Sequence, residues 1–552
     1  MQNKPNLQKS QMNINKVLKR DYENVHLTLR LKANPIKPNQ SQFHPPTLVA
    51  KAVSTVKNLK YYLLAAVVLA ALAGCGNGSR IVNLTEDGAW CWFADPRAVY
   101  YEGQHKRTYV GWVNKAGNVQ AAYYDHQTQT VTSATLRAKF EYDDHANPAI
   151  LILPDGRLMV FYCRHGDKEA MFYRISQQPE DISSWGQEMQ IKTNIEGKYG
   201  YTYPNPIQLS AEDNTIYLFF RGGDFKPNFS TSQNGINWAP ARTLIKGSGD
   251  RPYIKFESNG TDKIHFAFTD GHPRKEPTNN IYYAYYYNGA IYKANGTKIK
   301  DMADLPIAPA QADKVYDAES HSARAWIWDI ALDSRRHPVI VYATFPKETE
   351  HYYRYARWTG SVWKDVEITT AGRWFPQTQQ GQEEREPFYS GGVVLDHSNP
   401  SIVYLSRPIN GVFEIEKWTT SDGGANWTSQ PITSGSKKNN VRPVVPRNHK
   451  PTGIDLIWMK GDYIFYTKYD TALKMLLSAL RPKGGHSNNK PDKNTHYEFT
   501  GNTEKFAYSS SHTVADRIGH LPPAGQFQSP RTNTCANTGT CQRTQKRDGN
   551  QK

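Results

Sequence analysis

Between residues 80 and 470 the chain repeats one pattern: runs of about five to seven apolar and aromatic residues, cut by Gly, Pro, Asn and Asp. Residues 107–113, 158–163, 215–220, 281–287 and 338–343 are examples, and Val, Ile, Tyr and Phe dominate them. Such residues fit a pleated, half-buried surface. Turn signals such as Pro154-Asp155-Gly156 join neighbouring runs into hairpins. No sustained helical period interrupts the pattern before Leu473. A stretch of about 390 residues is too long for one sandwich but suits about seven four-stranded units. The expected fold is all-β, a seven-bladed β-propeller of four-stranded antiparallel blades.

An internal repeat supports this reading. Thr231-Ser-Gln-Asn-Gly-Ile-Asn-Trp238 aligns with Thr420-Ser-Asp-Gly-Gly-Ala-Asn-Trp427. Both resemble the Asp-box of bacterial neuraminidase repeats. The second copy fits fully; the first has Gln233 where Asp is expected. An acceptor side chain bonding backbone N–H groups, a Gly at positive φ and a Trp packed below make a stable turn. This motif reports fold and carries no chemistry.

Net charge is confined to the ends. The net charge is +16, of which +9 lies in residues 1–60 and +7 in 471–552, leaving 61–470 neutral. A cationic nucleic-acid-binding fold is therefore not expected. Lys57 and Lys60 precede an apolar run, residues 61–73, which ends in Leu72-Ala73-Gly74-Cys75. A basic flank, a short apolar core and small residues before a cleavage point form a secretory signal. The ending resembles the bacterial lipobox, which implies lipidation of Cys75 and an anchor in the cell envelope. Residues 1–75 are thus expected to be an N-terminal extension plus signal, 76–470 the propeller, and 471–552 a short helix near 472–480 followed by a polar, disordered tail. Of the five cysteines, Cys91 and Cys163 fall in strand-like runs and are expected to be buried free thiols. A monomer is expected.

Propellers gather their sites where inner strands converge, so polar residues at strand ends are candidates. Tyr142-Asp143-Asp144-His145-Ala-Asn-Pro148 leads into one strand, and the next ends in Arg164-His165-Gly166. Tyr203-Pro-Asn-Pro206 and Phe220-Arg221-Gly222 repeat that layout, and Asp250-Arg251-Pro252-Tyr253 with Asp270-Gly-His272 repeats it again. Three successive blades would then present His145 and His165, Tyr203 and Arg221, and Tyr253 and His272 on one rim. Such a set is cationic and lacks an obvious carboxylate pair, which most glycosidases need. It suits β-elimination at a uronate: cations neutralise the sugar carboxylate, a base takes the C5 proton, and an acid protonates the departing O4. A Tyr beside an Arg is expected to have a lowered pKa and to serve both steps.

These motifs, with Trp326-Ile-Trp-Asp329, Tyr353-Arg-Tyr-Ala-Arg-Trp358 and Tyr389-Ser-Gly-Gly392, make residues 86–468 resemble the propeller-type ulvan lyases, within the wider group of bacterial neuraminidase repeat proteins. The resemblance implies cleavage of ulvan, an acidic polymer of sulfated rhamnose and uronate, by β-elimination. It implies Tyr203 as base and acid, with His145, His165 and Arg221 around the uronate carboxylate. Tyr253, His272, Arg251 and Arg164 would line the subsite. It implies no cofactor for the chemistry and allows a structural calcium or zinc. Two other classes stay open at this point: a sialidase-like hydrolase using one of Asp143, Asp144, Asp250, Asp270, Asp329 or Glu386, and a non-catalytic glycan-binding lipoprotein.

Overall fold

The computed structural model describes residues 79–478, apart from 167–169, 193, 348, 374–390 and 452. Seven antiparallel sheets follow one another along the chain. The first pairs Ala98–Glu102, Lys106–Val113, Val119–Asp125 and Thr130–Arg137. The second pairs Ala149–Ile152, Leu158–Tyr162, Ala170–Ile175 and Met189–Lys192. The third runs from Tyr199–Leu209 through Thr215–Gly223 and Lys226–Ser232 to Arg242–Thr243. The fourth starts with Ile254–Ser258, Lys263–Thr269 and Ile281–Tyr287, and short outer segments enlarge it to six strands; the other six sheets have four. The fifth and sixth begin at Arg324–Leu332 and Val393–Leu395. This is the seven-bladed propeller read from the sequence, and the described residues contain no helix beyond single 3₁₀ turns.

The strand periodicity explains the blade packing. Alternate side chains point to opposite faces of a sheet, and each blade is pressed between two neighbours. In Ile281–Tyr287, Ile281 and Tyr283 enter one core cluster, while Tyr282, Ala284 and Tyr286 enter another. Both turn motifs lean on the preceding blade: Trp238 Nε1 donates to the Tyr173 hydroxyl at 3.3 Å, and Trp427 lies edge-on to Tyr355 at 5.2 Å. In the first motif Asn234, rather than Gln233, supplies the acceptor. Its Oδ1 takes the N–H groups of Ile236 and Asn237, as Asp422 takes that of Asn426 in the second.

The last blade departs from expectation. Residues 472–480 read as a short helix, but Lys468–Leu477 is a strand between Ile454–Phe465 and the N-terminal strand Arg80–Thr85. Tertiary pairing overrides the local preference, and Leu473, Met475 and Leu476 are buried. The seventh blade, with Asn439–Val444 innermost, therefore joins both ends of the described chain, and the propeller extends past the expected boundary at 470 to Leu477. Residues 1–78, with Cys75, and 479–552 lie outside the described residues.

A second element fills the axis. Residues 88–94 are all buried. Trp92 stacks on Trp328 of the fifth blade at 4.4 Å and 14°, worth about 0.5–1.5 kcal/mol beyond area burial. Phe93 packs on Tyr203 and Tyr253, and its carbonyl accepts from Asn205 Nδ2. Trp90 Nε1 donates to the carbonyl of Arg442 in the seventh blade. Lys255 Nζ bonds the Asp95 carboxylate and the Trp92 carbonyl. This plug separates the two ends of the channel. One holds a cavity of about 530 Å³ lined by Tyr101, Leu153, Gln208, Glu257 and Arg447. The His, Tyr and Arg candidates sit at the other.

Candidate active site

His145 lies in a 3₁₀ turn, Asp144–Ala146, just before the second blade's inner strand, and Asp143 caps that turn by accepting the His145 N–H at 2.9 Å. His165 follows the neighbouring strand of the same hairpin. The hairpin brings the two imidazoles into a stack, 3.8 Å between centroids and 6° between planes. Tyr466 meets both rings edge-on at 5.1 and 5.4 Å. Nδ1 of His145 donates to one oxygen of Asp143 at 2.7 Å, and Nδ1 of His165 to the other at 3.0 Å.

An ionised carboxylate only accepts, so both Nδ1 atoms carry their protons. Burial disfavours a charged His145, but the Asp143 carboxylate bonded to its Nδ1 opposes this, and the His145 pKa is held above the usual value. Burial and the charge of His145 push His165 down to about 4. The pair thus holds one charge: His145 is an imidazolium, and His165 is neutral with a lone pair on Nε2. Burial alone would raise the Asp143 pKa, but the two imidazoles hold it far below the carboxylate range.

Tyr203 enters from the third blade. Its ring is 5.4 Å from His145, and the Arg221 guanidinium lies over it at 4.5 Å. Its backbone is left-handed, with φ of 62° in front of Pro204. Arg251 before Pro252 (59°) and Arg442 before Pro443 (52°) repeat the device in the fourth and seventh blades. A non-glycine residue there costs of order 1–3 kcal/mol, a strain that concentrates at functional sites. The expectation of a lowered phenol pKa is overturned. Burial drives the Tyr203 pKa well above 10, and the opposing charges of Arg221 and His145 do not offset it. Tyr203 rests as a phenol.

Arg221 is 5% exposed; its Nη1 donates to the Tyr253 hydroxyl at 3.2 Å and its Nε has no acceptor. Tyr253 meets His272 edge-on at 5.6 Å, and burial lowers the His272 pKa to about 3. Arg251 lies near this group, its guanidinium 4.6 Å from the Phe225 ring. Arg164 instead turns to Phe140, 4.9 Å over that ring. Six of the eight expected site residues thus converge: His145, His165, Tyr203, Arg221, Tyr253 and His272. His265, in the strand Lys263–Thr269, is buried and bonds the Tyr283 hydroxyl. Cys91 and Cys163 are buried and free of disulfides.

Sequence reading missed the supports. Arg442 is buried and its Nη1 binds Asp144 at 2.5 Å, while Tyr463 donates to the same carboxylate oxygen at 2.6 Å. Asp143 and Asp144, considered as hydrolase acids, are therefore committed to the histidines and to Arg442. Glu386 lies outside the described residues. Among the described residues, two donor sets could hold a metal: Cys91, Asp144 and His145, and Asp143, His145 and His165. Their nitrogen, sulfur and few oxygen atoms fit zinc, whereas calcium takes six to eight oxygens.

Residues 107–371 match the model of the BNR repeat-containing family. Over 211 residues the chain is 27% identical to Ulvan Lyase-PL25 of Pseudoalteromonas sp. (strain PLSV), a match covering 31% of this chain and 41% of that protein. The chain thus spans less than half the length of the curated relative it matches. A solved PL25 ulvan lyase superimposes with a TM-score of 0.54 at 17% identity, covering 72% of this chain and 96% of that one. The same lyase bound to -[GlcA(1-4)Rha3S]- gives 0.54 at 16% identity, with equal coverage. At such identities the solved structures speak to the fold. The chain is a seven-bladed propeller that carries a match to the BNR repeat-containing family and is similar in sequence and in fold to the propeller-type ulvan lyases.

Proposed function

We propose that this protein is a polysaccharide lyase that cleaves ulvan at the uronate by β-elimination. The observation that carries the reading is the Tyr203 ring held between the Arg221 guanidinium, 4.5 Å above it, and the His145 ring, 5.4 Å away. A sugar carboxylate docked there meets two cations, which stabilise the enolate-like charge as the C5–H bond breaks. In glucuronate H5 and O4 share a face, so one phenol serves both. Its O–H proton passes to O4 while H5 moves to its oxygen, the C4–O4 bond breaks, and C4=C5 forms. The phenol is regenerated, and no resting phenolate is required.

The curated relative and the GlcA–Rha3S ligand of the solved lyase support this choice of substrate. Most glycosidases need two free carboxylates, and Asp143 and Asp144, the two acids beside Tyr203 and the histidines, are both engaged. Lipidation at Cys75 and an anchor in the cell envelope belong to the same proposal, resting on Leu72-Ala73-Gly74-Cys75.

The test is incubation of the purified protein with ulvan while the ultraviolet absorbance of the conjugated double bond is followed. The expected result is a rise that falls about 10²- to 10⁴-fold in Tyr203→Phe. No rise with ulvan or with other uronate polymers overturns the lyase reading.

A further inference from the structure

Beside the reacting group stands a cluster that elimination alone does not require. Phe225 sits at the turn between Thr215–Gly223 and Lys226–Ser232, with φ of 59°. Tyr199 stacks on its ring at 3.7 Å. Two guanidinium groups share that ring, Arg221 at 5.1 Å and Arg251 at 4.6 Å. Like charges gathered so closely repel, and the electron-rich ring face offsets part of the cost.

Arg221 has no carboxylate partner among the described residues, and Arg251 has only a long, shared one. Arg221 is buried with a phenol as its hydrogen-bond partner and its Nε unpaired. An unpaired buried charge is costly, which makes its place one for an anion. The carboxylate nearest Arg251 is Asp250 at 3.8 Å, already bound to Lys275 at 2.7 Å. The Arg251 Nε has no acceptor either. The Arg251 side chain is 40% exposed, so it stands further out than Arg221. A guanidinium laid against an aromatic ring keeps its N–H edge free for a carboxylate or a sulfate oxygen pair. The left-handed backbone of Arg251 in front of Pro252 repeats that of Tyr203 in front of Pro204.

We infer that Arg221 and Arg251, gathered on Phe225, form a clamp for two successive anions of the polymer, with Arg221 on the uronate carboxylate and Arg251 on a sulfate ester of the adjoining sugar. The inference rests on the lyase reading and deepens it: Arg251 makes sulfation a condition of good binding. Phe225 is a positioning residue that holds the two cations at their spacing.

The test compares native with chemically desulfated ulvan. Wild-type protein is expected to favour the sulfated polymer about tenfold in kcat/KM, the scale of one charge-assisted hydrogen bond. Arg251→Gln is expected to lose that preference, through KM, and Arg251→Lys to keep part of it. Phe225→Leu retains both charges and is expected to weaken the preference as well. A preference unchanged in Arg251→Gln, or equal losses on both polymers, overturns the clamp. Binding of both polymers to full-length Tyr203→Phe, with and without Arg251→Gln, reads the same preference calorimetrically without turnover. A wild-type protein that forms no double bond yet binds the sulfated polymer through Arg251 overturns the lyase reading and keeps the anion site. Thermal unfolding of each variant separates lost binding from lost fold.

Discussion

The imidazoles of His145 and His165 lie 3.8 Å apart and 6° from parallel, with one Asp143 oxygen on each Nδ1. Two charged rings stacked so closely would repel, so the shared carboxylate is matched to one proton too few. In Asp143→Asn the amide cannot accept from both Nδ1 atoms, and the anion that holds His145 charged is gone. Activity is expected to fall about 10²- to 10³-fold, the scale of a lost general acid–base or orienting group. Nitrogen NMR of the histidines at pH 7 checks the cause. Wild-type protein should show one imidazolium and one neutral ring at this pair, and the variant two neutral rings. An unaltered NMR pattern would remove Asp143 from the site.

His351 supplies a stability test away from the chemistry. It is buried, and its Nδ1 donates to the Gly372 carbonyl at 2.9 Å. Burial lowers its pKa to about 4 from 6.5. Its unfolded form therefore binds a proton at a pH where the folded form does not. The stability it contributes is present above pH 6.5 and is lost as pH falls towards 4, by about 3 kcal/mol at most. His165, His265 and His272 are lowered in the same sense, and His145 and His397 are raised in the opposite one. Melting temperature should fall between pH 6.5 and 4, and less steeply in His351→Gln. Equal slopes in both proteins would show that His351 takes up no proton on unfolding.

Arg442 and Asp144 form an ion pair that is almost wholly dry, with side chains 1% and 0% exposed. Removing one partner of such a pair strands the other charge, at a cost of about 3–5 kcal/mol. Arg442→Met should show that loss in urea unfolding, and adding Asp144→Asn should recover part of it. Because Asp144 adjoins His145, the single variant is also expected to lower activity at temperatures where it stays folded. A double variant no more stable than the single one would contradict the pairing.

The sequence carried the blades and the rim because both are local. A hairpin needs about twenty residues, and the polar–strand–turn–strand–cation layout recurs three times in succession. His145 with His165 and Tyr203 with Arg221 could therefore be paired before any coordinates. The plug was not legible: Ala89-Trp-Cys-Trp-Phe93 is apolar on both faces and reads as another strand, yet it crosses the axis. The density of aromatic residues without alternation was the available signal. Arg442 was hidden because its partners, Trp90 and Asp144, lie hundreds of residues away in the chain. The direction of the Tyr203 pKa was misread because a neighbouring Arg is visible in sequence and burial is not.

The closing strand gives the sharpest contrast between sequence and structure. Residues 468–477 carry Leu473, Met475 and Leu476, spaced as on either a short helix or a strand, and only pairing decides. In the fold they join Ile454–Phe465 on one side and Arg80–Thr85 on the other. Ending the chain at Asp470, the boundary the sequence suggested, removes three buried apolar side chains worth about 1.5–3 kcal/mol each. It also strips the N-terminal strand of its partner and leaves Ile454–Phe465 as an open edge. A protein spanning 79–470 is expected to aggregate or to melt without cooperativity, while one spanning 79–478 should melt in a single transition. Circular dichroism melts with size-exclusion chromatography distinguish them. If the shorter protein melts like the longer one, the seventh blade does not depend on this strand for closure.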